Sequence, residues 1–75
     1  MTAIDYARMQ KAWPRQKSAL TRAKKKGYGD VLIVCQNAVR EWDEIGAWPD
    51  DWALFQRTLD DAAPGIIGPR LEELR

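Results

Sequence analysis

Histidine is missing from this 75-residue chain, and cysteine occurs once, as Cys35. A single cysteine cannot form a disulfide within the chain. Without histidine, the usual nitrogen and sulfur ligands of a zinc site are lacking, and Cys35 has no imidazole to activate it. Long apolar runs are missing too. The longest uncharged stretch, Val31 to Val39, is nine residues long and includes Gln36 and Asn37. A membrane-spanning helix needs ~20 apolar residues. The opening MTAIDYARMQ has no apolar signal core. These absences lead to the expectation of a soluble protein in a reducing, cytoplasmic setting, with no membrane partner. No phosphate loop, dinucleotide fingerprint or nucleophile–base signature is present. Glu41, Asp43, Glu44, Asp60 and Asp61 read as solvated helix faces rather than as acid–base pairs. The expectation is therefore a protein that is not an enzyme and takes no cofactor or metal.

What the chain does have is aromatic bulk. Trp13, Trp42, Trp48 and Trp52 stand with Tyr6, Tyr28 and Phe55. A chain this small seldom gains more than about 3–5 kcal/mol from one core. Each aromatic side chain buries about 150–250 Å², so dense aromatic packing is one route to a stable single domain over residues 1–75. Self-association is the other.

The spacing predicts three helices. The first covers about 3–26, with Thr2 as N-cap and Asp5 in the first turn. Tyr6, Met9, Trp13, Leu20 and Ala23 repeat at three- and four-residue intervals, and Gln16 fills the remaining slot. Pro14 lies inside this span, where it removes a backbone hydrogen bond at a cost of about 3 kcal/mol. The stripe keeps its phase across Pro14, which favours one kinked helix over a short helix followed by a second. Gly27 ends it after Lys24, Lys25 and Lys26. The second helix covers about 30–45, with Asp30 as N-cap. Val31, Cys35, Ala38, Trp42 and Ile45 form its main face, Leu32, Val34 and Val39 widen it, and Gly46 stops it. The third covers about 49–63, with Pro49 at the first helical position and Asp50 and Asp51 at the positive end. Its stripe is Trp52, Phe55, Leu59 and Ala62, and Ala63-Pro64-Gly65 ends it. Ile66-Ile67-Gly68-Pro69 then reads as a turn or extended crossing. A short helix over about 70–74 follows, anchored by Leu71 and Leu74. The fold class is all-α: a three-helix antiparallel bundle with a short C-terminal helical segment across one end.

Charge changes sign along the chain. Residues 1–40 carry nine Lys/Arg against two acids, a net of +7, and residues 41–75 carry three Arg against nine acids, a net of −6. Arg8, Lys11, Arg15, Lys17, Arg22, Lys24, Lys25 and Lys26 all fall on helix 1. They could hold phosphates in a salt-dependent, sequence-independent way. They are equally what a solvated helix face and a negative dipole end call for, and the acids of helices 2 and 3 could absorb them. A helix-turn-helix reading fails, because helix 3 would lead into a groove with Asp50 and Asp51. Arg40–Glu44 and Arg57–Asp61 have the spacing of weak ion pairs.

Trp48-Pro49-Asp50-Asp51-Trp52 is the most distinctive string. It reads either as a rigid lead-in to helix 3 or as an exposed aromatic hot spot for a protein partner. The small size of the chain favours the structural reading. Cys35, amid Val31, Leu32, Val34 and Ala38, reads as a small buried hydrophobe.

The strings WPRQKSALTRAKKKG, VCQNAVREWDEIGAWPDDW and QRTLDDA span Trp13 to Ala62. With them the chain resembles small helical proteins of phages and mobile elements of high-GC Gram-positive bacteria. In those proteins a Gly-x-Trp-Pro-Asp-Asp-Trp turn and a closing Asp-Asp-Ala recur. The resemblance implies an accessory phage-type gene product, acting in the host cytoplasm, and assigns no activity or site residues. The expectation is a binding protein. An unidentified protein partner, with a host factor as one candidate, comes first, through the Trp48–Trp52 turn or an exposed apolar or charged helix face. Non-specific nucleic-acid binding through Arg15, Lys17, Arg22, Lys24, Lys25 and Lys26 is the alternative. A homodimer pairing basic and acidic faces is a third.

Overall fold

The computed structural model describes residues 2–62 and 69–74. It is a three-helix antiparallel bundle with a short C-terminal 3₁₀ turn. The helices are α1 (Ala3–Lys26), α2 (Tyr28–Ile45) and α3 (Ala53–Ala62), and the 3₁₀ turn is Leu71–Leu74. No strand occurs among the described residues.

Thr2 and Asp5 close the start of α1 reciprocally. Thr2 Oγ1 accepts from the Asp5 amide at 3.1 Å, and the Thr2 amide donates to Asp5 Oδ2 at 3.3 Å. The hydrogen bonds to Thr2 hold the Asp5 carboxyl below the usual carboxylate range. The helix then runs unbroken through Pro14. Pro14 and Gln10 are both exposed, so water can satisfy the Gln10 carbonyl that proline leaves unpaired.

Gly27 alone joins α1 to α2. Its amide donates to the Ala23 carbonyl at 3.1 Å, and its own carbonyl accepts from Val31 at 3.2 Å. One residue both ends a helix and opens the next, at φ 125°, a conformation open to glycine and strained for other residues. This corrects the expectation that Asp30 caps the second helix. The Gly27 carbonyl already takes the first amide, so the helix begins two residues earlier and Asp30 sits in its first turn.

The start of α3 also differs. Pro49 does not open the helix. It leads a tight turn in which the Trp52 amide donates to the Pro49 carbonyl at 3.1 Å, and three-residue bonds from Leu54 to Asp51 and Phe55 to Trp52 follow. Regular α-helix begins only at Ala53. Pro49 is buried under this turn. The end of α3 at Ala63-Pro64-Gly65 and the segment 66–68 lie outside the described residues. The short C-terminal helical segment is present as a 3₁₀ helix, Leu71–Leu74.

The core runs along α2. Val31, Cys35, Val39 and Trp42 are fully buried, together with Phe55, Leu59 and Leu71. Helix α1 contributes Met9, Ala12, Gln16, Leu20 and Ala23. Tyr6 does not belong to this face: it is 55 % exposed. The buried face is centred on Met9, Ala12, Gln16, Leu20 and Ala23, and at about 100° per residue Tyr6 falls to its side, on the flank it shares with Trp13. Leu71 is the anchor expected of the last segment. Burying a leucine contributes roughly 1.5–3 kcal/mol, and Gln56 fixes this one by accepting from the Leu71 amide at 2.8 Å and donating to the Pro69 carbonyl at 3.3 Å.

Candidate functional site

The charged face of α1 is the first place to look for a site. Arg8, Lys11 and Arg15 line one cleft with Glu41 and Glu44 of α2. Arg22 and Lys26 line the continuation of that seam with Asp30. The basic row therefore runs beside a partly acidic row. Arg15 is committed outright: its Nη2 donates to both Glu41 oxygens, at 2.8 and 2.7 Å. The pair is solvent-exposed, and such pairs contribute about 0–1 kcal/mol. Arg40–Glu44 and Arg57–Asp61 do not close to ion-pair distance; among the described residues the ion pairs are Arg15–Glu41 and Arg70–Glu72.

Glu41 is also held from below. The Gln16 side-chain amide donates to Glu41 Oε1, while the Gln16 oxygen accepts from Trp42 Nε1 at 3.0 Å. Gln16, buried to 5 % exposure, thus links an ion pair at the surface to the largest side chain of the core. No buried side-chain nitrogen or oxygen among the described residues lacks a partner. The sequence signal was a lone polar residue in an apolar stripe. Gln56, which follows Phe55, gave no comparable signal.

Lys17 is on a different flank. Its ammonium lies over the Trp13 ring, 5.8 Å from the centroid, and it shares a cleft with Asp50, Asp51 and Arg57. Lys24 and Lys25 are exposed in the last turn of α1. The six basic residues singled out from the sequence are therefore spread over two flanks and one end of the bundle.

The Trp48–Trp52 turn is built into the core on one side. Trp42 meets Trp48 at 5.1 Å and Phe55 at 5.3 Å between ring centroids. Trp48 meets Trp52 edge-on at 5.6 Å, and Trp13 packs on Phe55 at 5.5 Å. Five aromatic rings thus form one connected series. The Trp48 indole N–H donates to Asp43 Oδ1 at 3.3 Å. This is the rigid lead-in that size alone favoured. The turn also has an outer side. Trp48, Pro49, Asp50 and Asp51 face Tyr6, Met9, Gln10 and Trp13 of α1 across an open groove of about 230 Å³. Trp52 is not among its walls. Sequence reasoning placed Tyr6 in the core and so missed that it joins the turn.

Cys35 is fully buried, its thiol 3.8 Å from the Phe55 carbonyl oxygen. Burial pushes the thiol up to about 12, which removes it as a nucleophile near neutral pH. No group of three or more metal-binding side chains occurs among the described residues, and no described helix is long and apolar enough to cross a membrane.

Comparison with family models, with curated proteins and with solved structures finds no match for this chain.

Proposed function

We propose that this is a small, non-catalytic accessory protein of the phage type that its sequence resembles, acting in the cytoplasm of a host cell by binding a protein partner. The groove between the Trp48–Asp51 turn and the first turns of α1 carries this reading. Aromatic side chains partly exposed on a rigid support are the usual anchors of protein recognition, and Tyr6, Trp13 and Trp48 converge there. The lone thiol is buried and protonated, which supports a role in binding rather than chemistry. Affinity capture from a nuclease-treated host lysate tests the reading. One protein recovered in stoichiometric yield is the expected result, and recovery of nothing at low salt overturns it.

A second reading keeps nucleic acid as the partner. Its support is narrower than the whole of helix 1: Arg22, Lys24, Lys25 and Lys26 are exposed at one end of the bundle, and among the described residues none of them is in an ion pair. Binding would weaken steeply with salt. Reversal of Lys24, Lys25 and Lys26 to Glu would abolish it, and unchanged affinity for duplex DNA in that variant rules the reading out.

A further inference from the structure

We propose that the groove walled by Tyr6, Trp13 and Trp48 and rimmed by Asp50 and Asp51 receives an arginine or lysine side chain, flanked by apolar residues, from an extended segment of the protein partner. The inference rests on the protein-binding reading above and specifies its chemistry.

Three observations lead there. The first is size. At about 230 Å³ the groove is smaller than the roughly 300–1,000 Å³ of small-molecule sites, but it suits a single anchoring side chain.

The second is charge. The residues lining it are apolar or neutral apart from Asp50 and Asp51, and the nearby Asp43 carboxylate holds the Trp48 indole. Among the described lining residues the only charges are the Asp50 and Asp51 carboxylates. Both rim carboxylates are exposed and, among the described residues, outside any ion pair.

The third is a precedent within the molecule. The same two carboxylates line a second cleft, and there the chain supplies its own cations, Lys17 and Arg57. Lys17 lies over the ring of Trp13. On the groove side, aromatic rings and carboxylates are again combined, but among the described residues no cation is in the walls. An aromatic face beside a carboxylate attracts a guanidinium or ammonium through the ring quadrupole and the ion pair together. Met9, in the floor, has the flexible side chain that adapts to apolar neighbours of such an anchor.

The test uses the full chain, labelled for NMR, and three acetylated pentapeptides with Arg, Gln or Glu between two leucines in a common frame. The Arg peptide should shift the indole N–H signals of Trp13 and Trp48 and the amides of Asp50 and Asp51. It should bind about tenfold more tightly than the Gln peptide, and the Glu peptide should not bind. The double variant Asp50→Asn/Asp51→Asn should abolish the preference for Arg over Gln. Neither carboxylate bonds to the backbone among the described residues, so that variant keeps its fold, verified by its helical circular dichroism. Equal binding of the Arg and Gln peptides, shifts confined to the α1–α2 seam, or no binding overturns the proposal. Shifts of Trp13 and Trp48 with protein concentration alone would make the occupant a second copy and also overturn it. Capture from lysate with the double variant separates the two levels: an undiminished protein partner overturns the groove and leaves the protein-binding reading standing.

Discussion

The indole N–H of Trp42 donates to the side-chain oxygen of Gln16 across the α1–α2 seam, at 3.0 Å. Trp42 is fully buried and Gln16 nearly so. The glutamine on the facing helix therefore satisfies the one polar group that the tryptophan side chain carries into the core.

Replacing Gln16 by Leu should destabilise the protein despite the gain in apolar surface. It leaves a buried N–H without a partner, at about 1–3 kcal/mol, and removes one support from Glu41. Urea denaturation should show a lower midpoint at an unchanged slope. A neutral or stabilising Gln16→Leu would mean that water reaches the Trp42 nitrogen.

Two glycines close together should respond in opposite directions. At Gly27, φ is 125°, and an added Cβ would meet nothing within 4 Å, so the penalty of Gly27→Ala is conformational, about 1–3 kcal/mol. Gly29 lies inside α2, also with open space around its Cβ position. Gly29→Ala should stabilise by about 0.4–1 kcal/mol, by restricting the unfolded chain. Thermal melts of the two variants check the contrast.

Leu71 and Gln56 should act together. Leu71→Ala removes a fully buried side chain and should cost about 2–5 kcal/mol. Gln56→Ala should release the backbone at Leu71 and Pro69 while leaving α1 and α2 intact. Amide exchange should then accelerate at Leu71 and stay slow at Val39. Uniform acceleration would mean that the C-terminal turn and the bundle unfold as one unit.

Cys35 makes stability depend on pH at the alkaline end. Burial raises its pKa from 9.0 to about 12. Above pH 9 the unfolded chain releases this proton and the folded chain keeps it. The contribution is therefore whole below pH 9 and is lost as pH rises towards about 12. The Cys35→Ala variant should show a flatter decline over that window. In the folded protein at pH 8, a thiol reagent should label Cys35 only as fast as the chain opens.

Much of the fold was legible because periodicity reports burial directly. The faces of α2 and the stops at Gly27 and Gly46 follow from apolar spacing and from glycine after it. The Thr2 cap was legible for the same local reason. Tyr6 misled because it stands to the side of the buried face of its helix, on the flank of Trp13, and a three-residue step alone does not tell the edge of a face from its centre. Asp30 is a good cap residue and Pro49 a good first helical residue, but both lost to backbone bonds made by Gly27 and by the turn before Ala53. The groove was hidden because Tyr6 and Trp13 are some forty residues from Asp50 and Asp51 in the chain. The charge reversal was plain, but only the register of α1 against α2 sets Arg15 on Glu41 and leaves Lys24 and Lys25 apart.

The single-residue link at Gly27 governs how this protein can change over evolution. Each residue of an α-helix turns about 100°. A residue lost at the link could be replaced only by unwinding one from α1 or α2, and an added residue that joined α2 would turn Glu41 and Trp42 by that amount away from Arg15 and Gln16. Connections are ordinarily where proteins absorb changes in length. Here the link has no length to spare, and a deletion at Gly27 must be absorbed by the helices themselves.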